Sequence, residues 1–297
     1  MKKNKKKPHF FYWFFLILIF FAFFLFHQLK NSIIIKKRGR INVIFYSSAP
    51  IFYSLSAEEV NYYLKFDPNA YLSIPGGYGY YRIGGIGKLV ALENKPELFK
   101  RIFSQAVASM VDLYFYPREV KIYYDDTQKE PFFYPSFNQI FFYSTNGNLV
   151  DRLMVFIFFI KTDRKIFKEI EPIYQSNKKN QRIYDDEQFF KINQGIFYKE
   201  EFRDLKNNVQ ILYHRSYKTA CKIAQIIEGE GIRVVDIDYH QAVPKDCLII
   251  EDKKNPSLAA QALIQFFNCQ FKTEKTEISD IILIMGNLEK EWEITTD

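Results

Sequence analysis

The stretch "NVQILYHRSYKTACKIAQIIEGEGIRVVDID", residues 208–238, decides the fold class. "NVQILYH" (208–214) alternates branched and polar residues as a strand does. "SYKTACKIAQIIEGEG" (216–231) places Ala220, Ile223, Ala224 and Ile227 on one helical face and carries glycines at its end. "IRVVDID" (232–238) reads as a second strand. Working outward, "DCLIIED" (246–252) is a strand. "NPSLAAQALIQFFNC" (255–269) is a helix with Asn255 as cap and Pro256 in its first turn. "DIILIMG" (280–286) closes the series. A βαββαβ order predicts a small α/β sandwich over 207–297, with both helices on one sheet face.

Upstream lies a different kind of sequence. "FFYWFFLILIFFAFFLF" (10–26) carries no charge and extends to Leu29 if its flanks snorkel, which predicts a membrane-spanning helix over 10–29. The following "HQLKNSIII" has no small-residue cleavage pattern, so an uncleaved anchor is expected. Basic clusters stand on both sides, at 2–7 and 36–40. The first is nearer the apolar run, and this favours a cytoplasmic N-terminus with residues 41–297 extracytoplasmic. The net charge of +7 belongs to this end. Residues 1–40 hold ten Lys and Arg and no acid, leaving 31 bases against 34 acids in the rest. That distribution argues against a nucleic-acid partner, and the mixed charge around the aromatics of 117–150 argues against a base-stacking surface.

Between anchor and sandwich, residues 41–175 read as a second α/β domain and 176–206, polar and charged, as a linker. "INVIFY" (41–46) and "NAYLSIP" (69–75) are strand-like, while 54–68 fits either a strand pair with a turn or a short helix. Residues 96–113 carry the clearest amphipathic pattern, including Leu98, Phe99, Ile102, Phe103, Val107 and Met110. "IYYDD", "PFFYPSF" and "QIFFYSTNG" look like short strands. "LMVFIFFI" (153–160) is too short to span a bilayer and reads as a buried core segment. Cys221, Cys247 and Cys269 show no metal spacing and give no disulfide framework; buried thiols are expected. Of the histidines, His240 with Cys247 and Asp238 lacks ligand spacing and reads as a surface residue.

The C-terminal segment, through "VQILYHRSYKTACKIAQIIEGEGIRVV" and "DIILIMGNLEKEW", resembles the LytR C-terminal domain, with "HRSYK" where that family has a Gly-rich turn. The order of membrane helix, "LSIPGGYGYYRIGGIGKL" and "PELFKRIFSQAVASMVDLYFY" resembles the LytR-CpsA-Psr family. The resemblance implies an α/β/α domain with an apolar groove for a polyprenyl tail. It also implies transfer of a glycopolymer from polyprenyl pyrophosphate to the cell wall, with arginines, acids and often Mg²⁺ holding the pyrophosphate.

At the family's "SIPRD" this chain has Ser73-Ile74-Pro75-Gly76-Gly77, so the Arg and the acid are both gone. Asp151 and Arg152 loosely resemble an Asp-x-x-Arg segment, but here they are adjacent. The ligand-facing candidates are Gly76, Gly77, Tyr78, Tyr81, Arg82, Phe99 and Phe103; the catalytic candidates are Arg82, Asp151 and Arg152. Each has a plainer reading. Arg82 fits a surface cation beside a turn, Asp151 and Arg152 fit a helix-start pair, and Phe99 and Phe103 fit the core.

Three functions follow as expectations. The first is a membrane-anchored envelope protein, non-catalytic or weakly active, that binds a lipid-linked or wall glycan or a partner. The second is a divergent transferase using Arg82, Arg152 and Mg²⁺. The third is a structural adaptor of the envelope.

Overall fold

The computed structural model describes residues 9–37, 39–119, 121–124, 134–177, 180–241 and 244–294. The basic flank at 2–7, parts of "IYYDD" and "PFFYPSF", and residues 295–297 lie outside them. The chain is mixed α/β with an N-terminal apolar helix. Helix α1 (His9–Asn31) has no interior Gly or Pro and at 1.5 Å per residue is about 34 Å long. Its window Tyr12–Asn31 is apolar and exposed over nearly all its length, and it is long and apolar enough to cross a membrane. Ser32 ends it and, through its hydroxyl, accepts the Ile35 amide to start the short α2 (Ile33–Lys36).

The next strands form an antiparallel meander: β1 (Ile41–Phe45), β2 (Ile51–Leu55) and β3 (Asn61–Lys65). Residues 54–68 are thus the strand pair with a turn. The Ser56 hydroxyl accepts the Glu58 and Glu59 amides, and this makes the reversal. A hairpin of β4 (Tyr71–Ile74) and β5 (Gly79–Arg82) follows, then α3 (Ile86–Glu93) and α4 (Leu98–Val107). Next come β6 (Leu113–Tyr116), α5 (Phe137–Phe142), β7 (Ser144–Thr145), α6 (Leu149–Lys161) and β8 (Phe167–Ile170). The series ends with β9 (Tyr174–Ser176), β10 (Arg182–Tyr184), α7 (Asp186–Asn193) and α8 (Glu200–Leu205). The main sheet runs β7-β6-β1-β2-β3-β8, and a second runs β5-β4-β10-β9.

Strand alternation divides the main sheet between two cores. Ile44, Tyr46, Phe52 and Leu64 pack with α3 and α4; Val43, Phe45, Tyr53, Leu113 and Phe115 pack with Ile140 of α5 and Val155 and Phe159 of α6. The domain is therefore a helix–sheet–helix sandwich.

Four expectations are corrected here. The helix expected over 96–113 stops at Ala108, which is left-handed, and Met110 and Val111 are buried in an extended segment instead. Residues 137–142, expected as strand, are helical because Ser136 and Gln139 form a capping box. The segment 153–160 is helical but buries only one face, through Val155 and Phe159; Leu153, Ile157 and Ile160 are exposed. Residues 176–206 are not a linker. β10 pairs with β4, and Tyr184, Phe189 and Phe197 belong to the first core.

The C-terminal module matches the expected order with one strand added: β11 (Asn208–Tyr213), α9 (Tyr217–Gly229), β12 (Arg233–Tyr239), β13 (Leu248–Glu251), α10 (Leu258–Phe267), β14 (Gln270–Thr273) and β15 (Ile281–Ile284). A short α11 (Leu288–Glu291) ends it. Its sheet runs β12-β11-β15-β13-β14. Ile223, Ile227, Leu263 and Phe267 from the two helices share one core with Val209, Ile211, Ile249 and Leu283. Ser257, not Asn255, caps α10 by accepting the Ala260 amide.

The buried-thiol reading is corrected for two cysteines. Cys247 and Cys269 form a disulfide that ties β13 to the end of α10, and Cys221 is free. Its closed loop of 22 residues sets the expected effect. Reduction, or a Cys247→Ala/Cys269→Ala pair, should lower stability by about 2–4 kcal/mol in urea denaturation; an unchanged midpoint would contradict that.

Candidate functional site

The loop between β4 and β5 needs its glycines. Gly76, Gly77 and Gly79 have φ of +92°, +80° and +73°, values that residues with a Cβ seldom adopt. This conformation aims two adjacent amides the same way, as an anion-binding nest does. Both amides are already engaged. Those of Gly76 and Gly77 donate to the Glu293 carbonyl at 2.9 and 3.1 Å. Arg101 anchors the same C-terminal segment through an ion pair with Glu291 at 3.0 Å. Tyr78 donates its hydroxyl to Glu93 at 2.6 Å, and this bond raises the phenol's pKa.

Arg82 follows at the end of β5. Its guanidinium lies 4.0 Å from the centroid of the Tyr124 ring, a cation–π stack. Tyr81 beside it is exposed. Gly84 lies under a backbone crossing. Its carbonyl accepts the Tyr123 amide at 2.9 Å, and a Cβ there would stand 2.1 Å from the Tyr123 oxygen. Tyr46 supports the loop from beneath, donating to the Ile83 carbonyl at 3.2 Å and accepting the Gly87 amide at 2.9 Å. Burial drives the Tyr46 pKa well above its ordinary range.

Gly76, Gly77, Tyr78, Tyr81 and Arg82 thus share one loop, and the other candidates lie elsewhere. Phe99 and Phe103 are fully buried, packed on Tyr46, Tyr116 and Phe66, and reach no surface. Asp151 is also fully buried. One carboxylate oxygen accepts the Ser32 hydroxyl at 2.6 Å and the Ile34 amide at 3.0 Å; the other accepts the Asn148 amide at 2.9 Å. It caps α6 and clamps the junction between α1 and α2. Arg152 donates to the Ile140 and Tyr143 carbonyls at 2.5 and 2.7 Å, closing the end of α5. Both sit as the helix-start pair. Asp151→Ala should therefore cost about 1.5–3 kcal/mol, the range for lost hydrogen bonds to a charged group, and should loosen α2 in hydrogen exchange. Unaltered exchange at Ile34 would refute the clamp.

Chemically, the loop offers one cation, backbone amides and phenols. Among the described residues no group of His, Cys, Asp and Glu is arranged to hold a metal. Cys247 is in its disulfide and so is no thiolate ligand beside His240. The "HRSYK" turn is filled in a similar way to the glycine loop. The His214 and Arg215 amides donate to the buried Glu289 carboxylate, the latter at 2.7 Å.

Sequence reasoning missed a buried row of charges between the modules. Lys37 pairs with Asp112, Lys199 stands 4.0 Å from Asp112, and Lys199 pairs with Glu230 at 2.6 Å. Glu230 also accepts the Ser109 hydroxyl and the Met110 amide at 2.6 and 2.7 Å. Burial opposes ionisation of Asp112, yet the Lys199 and Lys37 ammoniums outweigh it and hold the carboxyl below its ordinary range. Burial opposes the Lys199 charge too, and Asp112 and Glu230 together raise it well above a free lysine. In the sequence these residues are scattered among surface charges, and no spacing marks them.

No family model matches the chain, and no curated protein matches it. Among solved structures it is similar to TagT of Bacillus subtilis, at 12% identity over 52% of this chain and 88% of that one, with a TM-score of 0.35. It is similar at 12% identity, the same coverage and a TM-score of 0.36 to the LytR-CPS2A-psr family protein YwtF (TagT) with bound octaprenyl pyrophosphate lipid. A third is the transcriptional regulator yvhJ from Bacillus subtilis, at 9% identity over 54% of this chain and 96% of that one, with a TM-score of 0.37.

Proposed function

We propose that this chain is a single-pass, membrane-anchored envelope protein that serves surface glycopolymer assembly without catalysing transfer, by binding a lipid-linked or wall glycan. The observation that carries the reading is the glycine loop. Where the resembled family has an arginine and an acid, this chain has two glycines whose amides are held by the Glu293 carbonyl. The other acid and arginine of the resemblance, Asp151 and Arg152, are spent on helix ends. In this reading the N-terminus is cytoplasmic and residues 41–297 face outward, a placement supported by the Cys247–Cys269 disulfide, since such bonds persist in oxidising compartments.

Native mass spectrometry of the full-length protein extracted in detergent tests this. Retained polyprenyl-phosphate species with no turnover of a polyprenyl-pyrophosphate glycan, with or without Mg²⁺, is the expected result. Turnover that disappears in Arg82→Ala would replace the reading with the divergent transferase, because Arg82 is the guanidinium at the loop. No retained lipid, even after adding it in excess, would leave an envelope adaptor.

A further inference from the structure

The outer face of α6 is apolar, and among the described residues nothing covers it. Leu149, Leu153, Ile157 and Ile160 recur at spacings of four, four and three and form a stripe along the helix. Leu153 is 48% and Ile160 66% exposed. Phe137 and Phe142 of α5 extend the patch, Phe137 being 57% exposed and its ring packed 5.6 Å from that of Phe156. Soluble faces seldom carry so continuous an apolar surface without a partner.

The structure indicates which partner. α6 starts at the point where α1 ends. The Asn148 side chain donates to the Gln28 carbonyl in the last turns of α1 at 2.7 Å, and Asp151 holds Ser32 and Ile34. The outer stripe of α6 thus continues from the apolar surface of α1, through exposed Leu29 and Ile35. Lys30 and Lys36 flank one end and Lys161 and Lys165 the other, all exposed, while nearby Asp163 is engaged in capping the Lys165 amide and Glu169 is engaged by the Tyr63 hydroxyl and the Lys65 ammonium. Apolar residues rimmed by lysines suit an interface with anionic headgroups.

We propose that α5 and α6 form a second membrane contact, in which the stripe of α6 lies in the interface of the same bilayer that α1 crosses. The inference rests on α1 spanning that bilayer. It gives the domain a fixed face toward the lipid, with the α3–α4 layer turned away.

Site-directed spin labelling of the full-length protein in vesicles of phosphatidylcholine and phosphatidylglycerol tests it. Single cysteines are introduced in a Cys221→Ser background as Ile157→Cys and Leu153→Cys, with Phe20→Cys in α1 and Leu92→Cys, 72% exposed on α3, as references. The expected result is that the labels at 153 and 157 favour collision with oxygen over a nickel chelate several-fold more than the label at 92, approaching the label at 20. If 20 is lipid-exposed while 153 and 157 behave as 92 does, the contact is overturned and the anchor stands, whether or not the protein self-associates. If 20 also behaves as 92 does, the anchor falls and the contact with it.

Discussion

Glu230→Ala lowers the unfolding free energy by about 3–5 kcal/mol, the cost of stranding one partner of a buried ion pair. Glu230 is fully buried, and its removal leaves Lys199 with Asp112 alone, at 4.0 Å. It also strips the acceptor from the Ser109 hydroxyl and the Met110 amide. Glu230→Gln should lose nearly as much, because Lys199 keeps its charge. The pair Lys199→Met/Glu230→Leu should recover only the part that comes from the stranded Lys199 charge, since the Ser109 hydroxyl and Met110 amide stay without an acceptor and Asp112 loses Lys199. Urea midpoints followed by Trp292 emission in a Trp13→Phe background measure all three. A loss below about 1 kcal/mol in Glu230→Ala, the level of a surface pair, would show that the row contributes little.

The same row sets a pH window. Asp112 has a depressed pKa, so its contribution is present above about pH 4 and disappears as pH falls through the folded value. Lys199 has a raised pKa, so its contribution is complete below about pH 10 and disappears as pH rises beyond its folded value. Asp112→Asn should flatten the acid limb of the midpoint-versus-pH curve and also weaken the alkaline limb, because Asp112 is part of what raises Lys199.

The second large effect is steric. A Cβ on Gly229 would stand 1.7 Å from the Ala108 carbonyl oxygen and 2.8 Å from its carbon. Both are backbone atoms of the left-handed residue that ends α4, so no rotamer relieves the overlap. Helix propensity alone would favour alanine by about 1 kcal/mol, but the clash outweighs it. Gly229→Ala should cost about 3 kcal/mol or more, the upper end for overpacking, and should separate α9 from α4. Hydrogen exchange at Met110, whose amide donates to Glu230, reads the separation directly. Wild-type protection there would mean that the joint tolerates the methyl group.

The two substitutions also show where the sequence was legible. Strands and helices of the C-terminal module could be read because each has its own period and its own breakers. β14 escaped because "QFKT" is short and mostly exposed. The inner residues of α4 were legible, but its end was not. Ala108 takes the left-handed conformation usually given to glycine, and Met110 and Val111 prolong the apolar pattern into extended chain. The capping box at Ser136–Gln139 is a short pattern, and the Phe and Tyr run beside it suggested a strand; the box at Asn148–Asp151 opens a segment that read only as buried core. The glycine loop was found from sequence alone. What fills it was not, because Glu293 is remote in the chain and contributes only its backbone carbonyl.

That remoteness matters when the protein is made. Gly77 and Glu293 are about 200 residues apart, and at usual synthesis rates the ribosome needs roughly 10–40 s to cover the interval. The hairpin of β4 and β5 emerges early, and during that delay its two amides have no Glu293 carbonyl to meet. The two loop amides therefore gain their carbonyl partner only after the segment around Glu293 has been made, which ties closure of this loop to a late step of synthesis.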